Sequence, residues 1–452
     1  MTLHKSEEPQ IDLRQSEDAN DAPAGQAKEG RESLAAERRA HKHEAADNKE
    51  ILEFPRGFLW GTSTSAYQVE GGIRNNWSVW EQSEERLKQL KRAELDPDDY
   101  ICGQAVDFYH KYREDLDRAA ELGTGAFRFS LEWARLQPER DTWDTEAFNY
   151  YRDLMRECRQ RGLKTVVTLW HWTEPVWFSR EGGWSNKQAV DFFMEYVSTV
   201  LNELGGSVDY WVTLNEPMIY LGHTYITGQF PPGKRKLLRY FRAKRNLVEA
   251  HKQSYDIIHK HFPKSQVGFT NITNFFEPAR KWCPVEIFIS KLVSYVTNSS
   301  FLNKVRRHMD YVGVDYYFHD RIVWYPPFKK NLNKKTTDMG WEIYPEGIYH
   351  VLMDLSKYGK PIYVMENGLA DESDRHRADF IREHLAYVYA AIADGADVRG
   401  YFYWSLLDNF EWDKGWYPKF GLYEVNLETM ARKPRPSVDV YKDICQNNQI
   451  SI

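Results

Sequence analysis

The sequence predicts an α/β fold of the closed parallel (β/α)8 type, the TIM barrel, as a single domain over residues 51–452 behind a disordered N-terminal tail. Eight short apolar runs recur along the chain, and amphipathic helical patterns lie between them. The runs are apolar on both faces, as strands sandwiched between a helical layer and a core must be. An open doubly wound sheet is the alternative. The turn after the first run, "WGTSTSAYQVEGG", lacks the GxGxxG phosphate fingerprint that would favour it.

Residues 1–50 contain no Phe, Trp or Tyr and are dense in Glu, Asp, Lys, Arg and Ala. Such a segment buries too little apolar area to offset its ordering entropy, so disorder or a lone frayed helix is expected. The first four strands are predicted at "FLWGTSTSA" (58–66), "GAFRFSLEW" (125–133), "LKTVVTLWH" (163–171) and "VDYWVTLN" (208–215). The next four are "QVGFTNIT" (266–273), "MDYVGVDYY" (309–317), "PIYVMEN" (361–367) and "VRGYFYWSL" (398–406). Between them, "AVDFYHKYREDLDRAAELG", "TEAFNYYRDLMRECRQRG" and "RHRADFIREHLAYVYAAIADG" read as helices, with Gly123, Gly162 and Gly395 at their ends.

Composition excludes several classes of function. A net charge of −6 over 452 residues argues against nucleic acid as a partner. The basic stretch "PPGKRKLLRYFRAKR" (231–245) reads as a solvated helix face. No run of apolar residues is long enough to span a bilayer, so no membrane partner is expected. Four scattered cysteines form no CxxC or Cys/His cluster, which fits a reducing compartment and offers no metal site. With no apolar leader at the N-terminus, a cytoplasmic location is expected. No cofactor is implied, and the sequence leaves the oligomeric state open. Sixteen tryptophans exceed what a core requires, and such a surplus lines pockets or interfaces.

Polar residues cluster where the predicted strands end, and a barrel gathers those ends on one face. The first strand leads into Gln68, the second carries Arg128, and the third ends in His171. The fourth ends in Asn215 and Glu216, and Pro217 then breaks it. The sixth carries Asp315 and Tyr317, and the seventh ends in Glu366. The eighth runs into "WSLLDNFEW", with Trp404, Glu411 and Trp412. Two glutamates facing each other across a barrel mouth are the apparatus of glycoside hydrolysis. Each motif alone has a bland reading: Asn-Gly after Glu366 is a common turn, and His171 alone reads as a core histidine. Their joint placement at successive strand ends changes the balance.

Together, "FPRGFLWGTSTSAYQVEGG", "FRFSLEWARLQP", "TLWHWTEPVWF", "WVTLNEP", "YVMENG" and "YFYWSLLDNFEW" resemble glycoside hydrolase family 1, the β-glucosidase family, over about Phe54 to Tyr441. The resemblance implies Glu216 as general acid/base and Glu366 as nucleophile, with Arg128 and Tyr317 holding the nucleophile ionised. It implies Gln68, His171, Asn215, Trp404, Glu411 and Trp412 as sugar ligands, and Trp341 on the leaving-group side. The implied activity is retaining, exo-acting hydrolysis of β-D-glucosides, with β-galactosides or β-fucosides as further substrates. Another retaining barrel glycosidase, such as an endo-glucanase, and a carbohydrate-binding pseudoenzyme are the alternatives. The "DNFEW" closure favours exo action, and the presence of both glutamates disfavours the pseudoenzyme.

Three features refine the expectation. Asp315 stands where the family usually has Asn, and an extra charge there disfavours a neighbouring carboxylate unless it is paired. The segment between Thr270 and Gly340 is short for the family, which predicts trimmed loops and a more open pocket. Glu411 and Glu216 set the chain apart from the phosphoglycosidase and plant thioglucosidase branches, respectively.

Overall fold

The computed structural model describes residues 50–330 and 332–452. The expectation for the tail falls, apart from Glu50, outside the described residues. Residues 51–452 form one compact unit.

Eight parallel strands close into a barrel in simple sequential order: β1 (Leu59–Ser63), β2 (Ala126–Ser130), β3 (Lys164–Thr168), β4 (Tyr210–Asn215), β5 (Gln266–Ile272), β6 (Val312–Asp315), β7 (Ile362–Asn367) and β8 (Val398–Trp404). Strand β8 pairs with β1, and β7 pairs with both β6 and β8. All eight predicted runs contain a strand, but most strands end earlier than predicted. Strand β1 stops at Ser63, and Gln68 lies instead on a short helix, Ala66–Val69. Strand β3 stops at Thr168, three residues before His171, and Trp172 then takes a left-handed backbone (φ 70°). The chain bends over the rim at these points, so apolar composition continues past the hydrogen-bonded ladder.

Helices α1 (Phe108–Glu121), α2 (Thr145–Gln160), α3 (Ala189–Leu204), α4 (Leu237–His261), α5 (Pro284–Ser294), α6 (Glu346–Ser356), α7 (Arg377–Ala393) and α8 (Ser437–Asn447) follow the strands in turn. The three predicted terminal glycines end α1, α2 and α7 with φ of 80°, 74° and 98°, a conformation that β-carbons disfavour. Inside the barrel, Leu59, Ala126, Val166, Val212, Met365 and Phe402 form a closed apolar plug beneath the mouth. Gly61 is obligatory there, since a β-carbon would lie 2.3 Å from the Phe402 ring.

Two strands carry an extra residue near the mouth. Between Val212 and Asn215, β4 holds one more residue than β5 opposite it, and between Val364 and Glu366, β7 holds one more than β6. A bulge reverses the in/out alternation and re-aims the side chains that follow. The strands that deliver Glu216 and Glu366 are therefore the ones irregular near the mouth. The segment after β5 is not bare loop. It forms strand Phe275–Pro278, which pairs with His319–Ile322 in a small parallel sheet outside the barrel.

Candidate active site

The C-terminal strand ends surround a cavity of about 410 Å³. Gln68, His171, Asn215, Glu216, Tyr317, Trp341, Glu366, Trp404, Glu411 and Trp412 all line it. Arg128 lies fully buried behind Glu366. Every residue singled out in the sequence thus meets in one place.

Glu366 is held from two sides. Arg128 Nη1 donates to Oε1, and the Tyr317 hydroxyl donates to Oε2 at 2.7 Å. The other arm of Arg128, Nη2, donates to Asn215 Oδ1, which also accepts from the Thr270 hydroxyl at 2.7 Å. Those two donors fix the orientation of the Asn215 amide. Its Nδ2 then donates to His171 Nε2 at 3.1 Å and leaves His171 Nδ1 without a partner. Burial, followed by the nearby Arg128 charge, pushes the His171 pKa well below its ordinary value, so the ring is neutral. A neutral imidazole that accepts at Nε2 carries its proton on Nδ1, ready for an acceptor.

Glu216 sits past the end of β4 in a left-handed conformation (φ 40°), and Pro217 starts the short helix Pro217–Leu221. A non-glycine residue in that region is strained by roughly 1–3 kcal/mol. Proline thus does more than stop the strand. It occupies the first helical position, where a missing N–H costs nothing, and fixes the angle at which Glu216 leaves the ladder. Burial, then Asp315, then Glu366 raise the Glu216 pKa well above the usual carboxyl range, while Arg128 pulls it down. Its Oε1 has no partner.

Asp315 makes this site unusual. One carboxyl oxygen each from Glu216, Asp315 and Glu366 lie within 4.8 Å of one another. Asp315 is fully buried, and neither of its oxygens has a hydrogen bond of good geometry. Arg128 acts on it through space, but the guanidinium bonds go to Glu366 and Asn215. The pairing that would let Asp315 stay ionised is therefore absent. Burial, then Glu366, hold its pKa well above the ordinary value, and the nearby Thr270 hydroxyl and Glu216 carboxyl temper the rise. The Glu216 and Asp315 carboxyls therefore titrate together beside one guanidinium. The three oxygens are close enough to reach one cation, yet Arg128 already supplies a fixed positive charge bonded to Glu366.

A raised carboxyl pKa in the folded state contributes stability below the unfolded pKa and loses it as pH rises through the folded value. Asp315→Asn keeps the shape and removes the titration. The variant is expected to melt at the same temperature as the parent near pH 4 and above it near pH 8. A variant that melts lower at pH 8 would mean that Asp315 is ionised and needed.

At the far end of the cavity Gln68 is fully committed. Its Nε2 donates to Asn409 Oδ1 (2.9 Å), the Phe410 carbonyl (2.8 Å) and Glu411 Oε2 (3.2 Å), and Ser65 donates to its Oε1 (2.7 Å). Burial, then Glu366 and Asp413, push Glu411 up to about 8. It therefore carries a proton near neutrality when the cavity is empty. Trp412 lies nearly parallel to His171 (5.9 Å, 12°), and Trp404 stacks on the same ring (6.3 Å, 22°). Trp341 packs against Tyr317 and Phe318 and joins the small apolar cluster that holds Trp404 and Phe420.

Several contributors were not singled out from sequence. Thr270 and Asn409 orient Asn215 and Gln68, and Trp172 Nε1 donates to the Asn215 carbonyl at 3.1 Å. Thr270 sits near the end of β5 in "FTNIT", so the strand-end rule could have found it. Asn409 and Trp172 act through folded-back loops that leave no local pattern. The four cysteines are free and buried. No helix among the described residues is long and apolar enough to cross a membrane.

The family model for "Glycosyl hydrolase family 1" matches residues 51–315 and 319–450. "Beta-glucosidase A" of Thermotoga maritima is 30% identical over 448 residues, covering 88% of this chain and 99% of that protein. "Beta-galactosidase" of Sulfolobus acidocaldarius is 29% identical, covering 88% of this chain and 96% of its own. Among solved structures, a "beta-glycosidase from Pyrococcus horikoshii" superposes with a TM-score of 0.81 at 36% identity, covering 89% of this chain and 96% of that one.

Proposed function

The chain belongs to glycosyl hydrolase family 1, and from that premise we propose that it hydrolyses β-D-glucosides from the nonreducing end, with retention, through a covalent glycosyl–Glu366 intermediate. The observation that carries the reading is the carboxyl spacing. Oxygens of Glu216 and Glu366 lie within 4.8 Å of each other. Retaining enzymes hold their two carboxyls about 5–5.5 Å apart, whereas inverting ones leave about 6.5–9.5 Å for a water. The spacing here falls on the retaining side, which makes the second carboxyl the group that attacks carbon.

The roles follow from the surroundings. Glu366, bonded to Arg128 and Tyr317, attacks the anomeric carbon while Glu216, kept protonated by burial and like charges, protonates the leaving oxygen. A C–O bond to Glu366 forms as the glycosidic C–O bond breaks, and the proton leaves with the aglycone. Glu216, now ionised, takes a proton from water, whose oxygen displaces Glu366 and completes hydrolysis.

The closed end built by Gln68, Asn409, Phe410 and Glu411 supports exo action, because a chain cannot run through it. His171 and Asn215 offer hydrogen bonds to hydroxyls, Trp404 and Trp412 offer apolar faces to the sugar ring, and Trp341 borders the leaving group. A panel of aryl β-glycosides differing only in the sugar tests the assignment. The glucoside is expected to lead in kcat/KM, with the galactoside and fucoside measurable behind it. A preference for the 6-phosphoglucoside would overturn it.

Glu411 is the proposed reader of O4 and O6. Two hydroxyls donating to it favour its ionised form, so sugar binding near neutrality releases the proton Glu411 otherwise carries, and binding at alkaline pH, where Glu411 is already ionised, releases none from it. Losing bonds to a charged group costs roughly 1.5–3 kcal/mol. Glu411→Gln is therefore expected to cut kcat/KM on an aryl β-glucoside by about ten- to a hundredfold. The loss should shrink on the β-xyloside, which lacks the O6 hydroxymethyl group. Equal losses on both sugars would remove O6 from the reading.

A further inference from the structure

Helix α5 is packed inside out. Its buried side chains are the polar Glu286 and Ser290, and Asn298 is buried in the turn that continues it. Its apolar stripe, with Val285, Phe288, Leu292 and Tyr295 one or two turns apart, faces solvent, and Phe288 is 66% exposed. Glu286 turns inward to bond the Arg280 backbone and guanidinium. A surface helix of a globular protein normally does the reverse.

The surface extends beyond the helix. Trp282, 77% exposed, and Tyr325 both lie within 6.0 Å of the Arg280 guanidinium, and Trp324 packs on Tyr325 at 5.6 Å. Lys244 donates to Ser300 and ties α4 alongside, where Leu238 and Phe241 are exposed. These segments are strongly basic in a chain that is acidic overall. Residues 234–248 hold seven Lys/Arg and no acid, and 323–335 hold four and no acid. Residues 279–307 hold six and a single acid, the inward-facing Glu286. The solvated helix face expected at 231–245 is thus one flank of a larger apolar and cationic surface.

We infer that this face docks on an anionic phospholipid bilayer surface, with the α5 stripe and the Trp282, Trp324 and Tyr325 rings entering the headgroup layer and the surrounding cations pairing with phosphates. Tryptophan and tyrosine favour that depth, and each Lys or Arg near an anionic leaflet adds to the attraction. Surface docking needs no spanning helix, so the expectation of no membrane partner, which rested on the lack of a spanning run, does not bear on it. A second copy of this chain fits the surface less well, because a twofold contact would set the same cations against one another. Lys329 lines the candidate active-site cavity from the hairpin that carries Trp324 and Tyr325. The docked face therefore adjoins the mouth.

The test is co-sedimentation of the full chain with vesicles of phosphatidylglycerol and phosphatidylcholine, against vesicles of phosphatidylcholine alone. Binding is expected only to the anionic vesicles and should weaken as salt rises. Phe288→Asp and Trp282→Ala lie at exposed positions away from the cavity, so activity on a soluble aryl glucoside should stay at the parental level and report correct folding. Phe288→Asp is expected to reduce vesicle binding at least about tenfold, and Lys281→Gln with Lys291→Gln to reduce it by a similar factor. Absence of binding to anionic vesicles overturns the inference, as does binding that these variants leave unchanged. A concentration-dependent dimer that Phe288→Asp dissociates would assign the face to a second copy and likewise overturn it.

Discussion

Glu366→Ala is expected to lower turnover of an aryl β-glucoside by on the order of 10⁴- to 10⁶-fold, the scale on which losing a nucleophile acts. The proposal makes Glu366 the group that forms a bond to carbon, and no neighbour can take over. Glu216 and Asp315 lie within 4.8 Å, but burial, the largest cause for each, holds both pKa values well above the usual carboxyl range. The truncation also leaves Arg128 buried without its carboxylate partner, a change that costs roughly 3–5 kcal/mol where nothing compensates. Asn215 Oδ1 and the Met365 carbonyl still accept from the guanidinium, so the variant should fold, with a melting temperature below the parent's. Azide supplies both missing features, a nucleophile and an anion beside Arg128. It should enter from the face Glu366 vacates, opposite the leaving group, and release the α-glycosyl azide. Recovery of the β-azide from this variant would reverse the two glutamate assignments.

Much of this site was legible because a (β/α)8 topology converts sequence order into position. Arg128, Asn215, Glu366 and Trp404 belong to four different strands, and the rule that all strands point their C-terminal ends to one face places them together without any knowledge of contacts. Glu411 and Trp412 lie beyond the eighth strand, where the strand-end reading reached them only as the tail of "WSLLDNFEW" and the family resemblance supplied their role. Less legible was whatever depends on register between distant strands. The extra residues in β4 and β7 decide which way Asn215 and Glu366 face, yet they emerge only when each strand is set against its neighbour. Asp315 stood out as a departure in the sequence, and charge repulsion was foreseen. Its resolution was not, because the absence of a pairing cation is a property of the folded cavity. Helix α5 was illegible for a different reason. Its period of apolar residues is the same whether the stripe faces the barrel or the solvent, and only the burial of Glu286 and Ser290 decides between them.

Replacing Glu216 should reveal its role through the leaving group rather than through a uniform loss. A general acid matters in proportion to the basicity of the oxygen it protonates, so Glu216→Ala is expected to cost about 10²- to 10⁴-fold on an alkyl or unactivated aryl glucoside and far less on a dinitrophenyl glucoside. With the activated substrate, glycosylation of Glu366 still proceeds, but no base remains to activate water. The glycosyl-enzyme should accumulate, visible as a burst followed by a slow steady state. Azide then attacks from the side Glu216 vacated, on the β face of the intermediate, and the product should be the β-glycosyl azide. The pH dependence adds an independent check. On the proposed roles, activity of the parent requires Glu216 protonated, so kcat/KM should fall on the alkaline side as that proton is lost. Burial, Asp315 and Glu366 all displace that limb to higher pH. Glu216→Ala should abolish the limb altogether, whereas Asp315→Asn, which removes one of the three causes, should keep it and move it to lower pH. If Glu216→Ala instead costs the same factor on every leaving group and retains the alkaline limb, the titrating acid lies elsewhere, and Asp315, within reach of the same oxygens, becomes the residue to test next.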